Sequence, residues 1–349
     1  MRIRIKDIAE KARVSVGTVD RVIHNRGEVS VSTKQKVQQI ISELKYEPDI
    51  LARTLASKKN HRIAVLIPMP SDDNEFWSGP LEGMKDAVGT IDHLGFNLKE
   101  FLYDQFDKAS FREASSRFLT EATDALIFAP VFRNESEFLL SECRKSGIDV
   151  VLINSKLEHS ECLCYIGQDS FVSGQLAGRL ISCGLRREDA LLVINIAAEK
   201  DNYQHITSRE QGFIEFFSAN DQWSGIHLIR KDVSKDSARA VGQCLAACLD
   251  EQPNIRGIFV TNSRVNLVGR YLASRGTGNI RLVGYDLITS NVQLMKERYI
   301  HYLISQKPRD QGYRAIMSFF DHRILHKEIE KVQYMPIDII SKENLAYYR

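Results

Sequence analysis

At the start of the chain, apolar positions recur at spacings of three and four. Ile8, Ala9 and Ala12 fall on one face of a short helix, and Val19, Val22 and Ile23 on one face of a second. Val14 sits in the turn between them, so the two apolar faces can pack together as a helix-turn-helix. Ser15 stands where a cap would satisfy the first amides of the second helix, leaving donors pointing outward where a phosphate oxygen can dock. Asn25 and Gly27 punctuate a loop, after which Ser30 or Ser32 opens a third helix carrying Val37, Ile40, Ile41 and Leu44. Tyr46 and Pro48 end it, because the residue before a proline is pushed out of the helical region. Residues 49–59 are helix-prone and basic at their end. They fall short of the ~12 to 15 residues an isolated helix needs, so structure there is conditional.

From Arg62 onward the pattern changes to short apolar runs: RIAVLIP, FNLKEFLY, DALIFAPV, DVVLIN, CLCYIG, ALLVINIA, GIHLIRKD, GIFVTN, IRLVGYD and IHYLISQ. Most are separated by stretches long enough for a crossover helix, such as residues 113–122 and 170–183, which predicts parallel α/β sheets. So many strands are too many for one comfortable open sheet. Two lobes of similar topology explain them better, with a split near residues 155–163.

Charge changes the reading of the first segment. Residues 1–60 hold thirteen Lys or Arg against seven Asp or Glu, whereas the whole 349-residue chain is only +2. A bare pair of amphipathic helices would otherwise read as an αα-hairpin. A basic end on an acidic body favours binding to a duplex through its phosphates. A hydrophobic content of 43% allows a full core. No run of ~18 apolar residues is present, and MRIRIKDIAEKAR has no apolar signal core, so a cytoplasmic location is expected. Cys143, Cys162, Cys164, Cys183, Cys244 and Cys248 form no CxxC pair and no zinc-finger spacing with histidine, and read as reduced, packed thiols with no metal. An α/β enzyme acting on a small polar metabolite is the competing reading. The chain has no GxSxG elbow, no GxxxxGK[ST] loop and no GxGxxG after the first strand, and nothing calls for a cofactor.

The stretch IKDIAEKARVSVGTVDRVIHNRGEVSVSTKQKVQQIISELKYEPDILARTLASKK resembles the DNA-binding headpiece of the lactose and galactose repressor family. The resemblance implies a helix-turn-helix headpiece over residues 1–48 and a hinge over 49–60. Residues 61–349 would then form a periplasmic-binding-like effector and dimerisation domain. Its two lobes would be discontinuous, with the chain crossing back near Asp286 and residues 306–308. It further implies that Arg21 is the main base reader, with Val16 and Gly17 at the other variable positions and Asp20 beside them. Ser15, Thr18 and Asn25 complete the DNA-facing set. The hinge of the family becomes helical on its operator and wedges a leucine into the minor groove; Leu55 holds that place here, after Ala52 and Arg53. From the residues alone, a plain linker remains the alternative.

Ligands of open α/β sheets lie beyond the carboxyl ends of the strands. Asn74, Phe76 and Trp77 follow the first strand, Asn154 and Lys156 the fourth. Gln168 and Asp169, Arg209, Asn262, Asp286 and Gln306 follow in order along the chain. An aromatic pair, an RxxGF, an asparagine after a strand, a GYD and a glutamine resemble the sugar-binding members of the fold. Each has a duller role open to it: Phe76 and Trp77 as core, Arg209 as an exposed helix charge, Asp286 as a helix cap. Aromatic platforms with Arg, Asp and Asn match a sugar's apolar faces and hydroxyl arrays. One arginine balanced by one aspartate suits a neutral monosaccharide or close derivative, while Lys156 would add the charge an acidic sugar needs. Ser263, where relatives often carry an acid, and Asn154, where they often carry Asp, leave the ligand open. The sequence thus reads as a sugar-responsive, DNA-binding repressor. PIDIISKENLAYYR has no apolar heptads of the tetramerising kind, which implies homodimers.

Overall fold

Among the described residues the first segment holds three helices: α1 (Ile5–Ala12), α2 (Val16–Ile23) and α3 (Val31–Glu43). The structure is a computed structural model that describes residues 3–23, 27, 29–44, 60–71, 75–197, 204–234 and 237–348. It separates Met1–Ser57 and Lys58–Arg349 as two compact units. Each helix of the first unit begins where its sequence supplies an acceptor. The Asp7 carboxylate takes the Arg4 amide at 2.8 Å, Ser15 Oγ takes the Thr18 amide at 3.1 Å, and Ser30 Oγ takes the Thr33 amide at 3.3 Å. Arg13 adopts a left-handed conformation, φ 55°, which ends α1 and turns the chain into α2. Ile8, Ala9, Ala12, Val19, Val22, Val37 and Ile40 close the core between the three helices. Lys11 ties α1 to α3 through Glu43 at 3.0 Å.

Among the described residues the second unit is built on two six-stranded sheets. The first contains β1 (His61–Pro68), β2 (Phe96–Tyr103), β3 (Ala125–Phe128), β4 (Asp149–Ile153) and β5 (Cys164–Gly167). Its helices are α4 (Ser78–Thr90), α5 (Lys108–Leu119) and α6 (Arg133–Lys145). The second sheet follows α7 (Ser170–Ser182) and contains β6 (Ala190–Ile196), β7 (His227–Val233), β8 (Ile255–Val260), β9 (Arg281–Tyr285) and β10 (Tyr302–Ser305). Between them run α8 (Gln204–Ser218), α9 (Ala238–Glu251), α10 (Val265–Arg275) and α11 (Thr289–Lys296). The chain then returns to the first lobe with α12 (Pro308–Arg323) and β11 (Val332–Tyr334), and ends in the second with β12 (Asp338–Ile340). The sheets run β11-β5-β4-β3-β1-β2 and β12-β10-β9-β8-β6-β7, all parallel except β12, which is antiparallel to β10.

The expected crossing near residues 155–163 falls elsewhere. β5 pairs in parallel with β4, Val151 opposite Cys164, so the CYIG run belongs to the first lobe and the chain crosses only between Gly167 and Ser170. Further crossings lie at residues 305–308 and 334–338, while Asp286 stays inside the second lobe. Gln168 ties the three crossings together. Its Nε2 donates to the Ser305 carbonyl at 3.0 Å and to the Pro336 carbonyl at 3.4 Å.

Helices meet closely in both lobes. A Cβ on Gly83 of α4 would stand 1.9 Å from the Arg309 carbonyl oxygen of α12, and one on Gly174 of α7 would stand 2.0 Å from the Arg209 carbonyl oxygen of α8. All six cysteines are unpaired, and Cys183 is exposed rather than packed. Among the described residues no helix is long and apolar enough to cross a membrane.

Candidate functional site

The first unit presents the exposed side of α2. Ser15, Val16, Gly17 and Arg21 are exposed, Thr18 and Asp20 half-buried, and Val19 and Val22 turn inward. The 3.6-residue period therefore places the expected readers on one outward surface. Ser15 Oγ also pairs with Thr18 Oγ1 at 2.9 Å, so the cap and the third helix position hold one another. Asn25, Ala52, Arg53 and Leu55 lie outside the described residues, as does Asn74.

In the second unit the carboxyl ends of β1, β4, β6, β8 and β10 face a cleft between the lobes. Phe76, Trp77, Asn154, Arg209, Asn262 and Gln306 line it, together with Gln105, Phe106, His205, Ser263 and Arg264. Phe76 and Trp77 meet edge to face, centroids 5.0 Å apart, and Trp77 Nε1 donates to Gln105 Oε1 at 3.4 Å. The cavity left between these groups is about 70 Å³. That is well below the ~300 to 1,000 Å³ of ordinary ligand pockets, so a monosaccharide enters only if the lobes part.

The polar end of the cleft is a single buried network. Gln306 Oε1 accepts from Arg209 Nη2 and from Asn154 Nδ2, the latter at 3.2 Å, while Gln306 Nε2 donates to Asp286 Oδ2 at 2.6 Å. Arg209 Nη1 donates to the Thr261 carbonyl at 2.8 Å, and the guanidinium stacks 3.8 Å from the Tyr285 ring centroid. Among the described residues its Nε has no hydrogen-bond partner. Behind Thr261, its hydroxyl donates to Asn195 Oδ1 at 2.8 Å, and Asn195 Nδ2 donates to Glu210 at 2.9 Å. Asn154 and Asp286 are both left-handed, φ 66° and 65°, each directly after a strand, a conformation that Asn and Asp tolerate best among non-glycine residues.

Two expected ligand residues are elsewhere, and a third plays another part. Lys156 is exposed and lines a separate groove with Arg144, His159 and Lys331, because the chain turns outward after Ser155. Asp169 caps α7, its Oδ1 accepting the Val172 amide at 3.0 Å. Asp286 is fully buried behind Gln306 and orients it rather than facing the cavity. Burial raises its carboxyl to about 6, against the opposing pull of Arg209 and Gln306. Sequence reasoning missed His205 and Arg264, since neither directly follows a strand. His205 Nδ1 meets Ser155 Oγ at 2.6 Å across the cleft, and burial together with the Arg209 charge holds it well below the usual histidine range.

Two family models match the chain. Residues 63–324 match the periplasmic binding protein domain, and residues 4–49 match the bacterial regulatory proteins of the lacI family. The chain belongs to the periplasmic binding protein domain family and carries a lacI-family domain over residues 4–49. The model matched over residues 4–49 is one of regulatory proteins, which favours the regulator over the enzyme reading. Among its relatives, catabolite control protein A of Staphylococcus xylosus is 30% identical over 152 residues, 44% of each chain. The HTH-type transcriptional regulator DegA of Bacillus subtilis is 32% identical over 155 residues, again 44% of each. A 42% match to catabolite control protein A of Staphylococcus aureus spans 25% of this chain and 26% of that one. The chain thus spans between a quarter and under half the length of these curated relatives. A solved chain from Bacteroides fragilis, assigned to the LacI transcriptional regulators, superposes with a TM-score of 0.76 at 28% identity, covering 83% of this chain and all of that one. The glucose-galactose binding protein GanP of Geobacillus stearothermophilus shares the fold, with a TM-score of 0.71 at 20% identity over 82% of this chain and 99% of its own.

Proposed function

We propose that this LacI-family chain is a transcription repressor that binds operator DNA as a homodimer and answers to a small polyhydroxylated effector held between the lobes. The carrying observation is the convergence of aromatic and hydrogen-bonding groups in one cleft, on a chain that also carries a helix-turn-helix with its readers facing out. Phe76 and Trp77 offer apolar faces to a sugar ring, while Arg209, whose Nε has no partner among the described residues, supports hydroxyl recognition with Asn154, Asn262 and Gln306 nearby. Effector acts by favouring one degree of lobe closure, and operator affinity shifts by the difference in its binding to the two states.

Removing Arg209 tests the reading. A hydrogen bond to a charged group is worth about 1.5 to 3 kcal/mol, so Arg209→Ala should weaken effector binding by roughly 10- to 150-fold or more. Operator binding by the ligand-free variant should stay intact, because the headpiece has its own core. Calorimetric titration of a panel of neutral and acidic monosaccharides, paired with fluorescence anisotropy on a selected duplex, measures both. Unchanged sugar affinity in Arg209→Ala would move the effector site elsewhere, and absence of any sequence-selective DNA binding would remove the regulator reading.

A further inference from the structure

Helix α11 begins beside the cleft without a cap of its own. Ile288 occupies the cap position and offers no side-chain acceptor. The acceptor comes from the other lobe: the Glu75 carboxylate, in the turn after β1, takes the Thr289 amide at 2.8 Å on one oxygen and the Thr289 hydroxyl at 2.7 Å on the other. A carboxylate there also meets the positive end of the helix dipole. Among the described residues, three more contacts span the same gap. They are Ser155 with His205 at 2.6 Å, Gln204 Nε2 with Glu158 Oε1 at 2.7 Å, and the Arg264 guanidinium 5.8 Å from the Phe106 ring centroid. Glu75 differs from these in completing a helix end, so parting the lobes strips a backbone donor in the second lobe of its partner.

We propose that Glu75 is a closing latch, a carboxylate of one lobe that caps a helix of the other and so sets how readily the cleft opens; its consequence for ligand rests on reading the cleft as the effector site. The cavity is too small to admit a sugar with the latch engaged. Glu75 therefore controls affinity without needing to touch the ligand. Because a sugar fits only a more open form, the latch lowers the fraction of binding-competent protein, and apparent affinity falls with it.

Amide exchange measured on the full, ligand-free chain tests the latch directly. Glu75→Ala and Thr289→Val are each expected to speed exchange over residues 289–296 by roughly 2- to 30-fold, the range that loss of a helix cap produces. Exchange should also quicken over residues 204–210, to which Glu75 is not hydrogen-bonded, because the His205 contact opens with the same motion. The double variant should add little to the larger single effect, since one interaction has been removed twice. Faster exchange confined to the first turn of α11 would overturn the latch and leave a local cap. Unchanged exchange in both segments would overturn it outright. No effector is added, so either failure leaves the effector reading to stand or fall on its own titration.

Discussion

Burial lifts the Asp286 carboxyl to about 6 from an ordinary 3.8, while Arg209 and the Gln306 amide restrain the rise. Between those values the folded chain keeps a proton that the unfolded chain has released. This contribution to stability is therefore full below about pH 4, declines as pH rises toward 6, and is gone above it, a span of about 3 kcal/mol. Asp286→Asn should remove that descending limb, visible as the difference between wild-type and variant urea midpoints from pH 4 to 8. An unchanged pH profile would mean that the acid ionises freely. Asparagine should also loosen the cleft, because the Gln306 backbone amide and Nε2 each donate to a separate Asp286 oxygen and asparagine has only one to offer. Asp169 and Asp286 show how far such roles can be read from sequence. Both follow a strand. Asp169 is followed at once by α7 and is consumed as its cap, whereas α11 begins only at Thr289, leaving Asp286 free to meet Gln306. What separates them is where the next helix starts and what a strand twenty residues on brings near, and neither is a local property of the sequence.

The close helix pair of the second lobe carries the site. α7 and α8 approach until the Gly174 Cα lies against the Arg209 backbone, which sets where the guanidinium stands. Gly174→Ala places a methyl group 2.0 Å from the Arg209 carbonyl oxygen, so the helices must separate. A loss of about 1 to 3 kcal/mol is expected, with weaker effector binding as Arg209 shifts. Gly89, exposed in α4 with nothing within 4 Å of its missing Cβ, is the matched control. Gly89→Ala should stabilise by about 0.5 to 1 kcal/mol. Equal effects of the two substitutions in thermal melts would refute the packing argument. Elements of this kind differ in how legible they are. FNLKEFLY is β2 residue for residue, because Gly95 precedes the apolar alternation and Asp104 follows it. β11 is only Val332–Tyr334, half exposed, and becomes a strand by docking beside β5 more than 160 residues earlier. No run of apolar residues marks it. The same gap explains the misplaced crossing, since CYIG reads plainly as a strand but its sheet is decided by partners distant in sequence.

On the scale of the whole molecule, the headpiece is short of information by itself. Eight residues of α2 rise about 12 Å, and with Ser15 at their cap they expose Val16, Gly17 and Arg21, a surface long enough for only a few base pairs. Two copies related by a two-fold axis would read a pseudo-palindrome and double that information. The dimer reading makes a quantitative demand on Arg21. If its guanidinium makes a bidentate contact to a guanine, each half-site loses about 1 to 3 kcal/mol in Arg21→Ala, so a symmetric site loses roughly twice what one contact is worth. A duplex altered at that base pair in one half-site should then lose one contact's worth with the wild type and nothing further with the variant. Random duplex should bind both proteins alike, apart from a slightly shallower salt dependence for the variant. Anisotropy titrations on symmetric, half-altered and random duplexes, with sedimentation to count chains per duplex, measure each term. One chain per duplex, or equal losses on specific and random DNA, would leave Arg21 as a phosphate contact and remove the paired-headpiece arrangement.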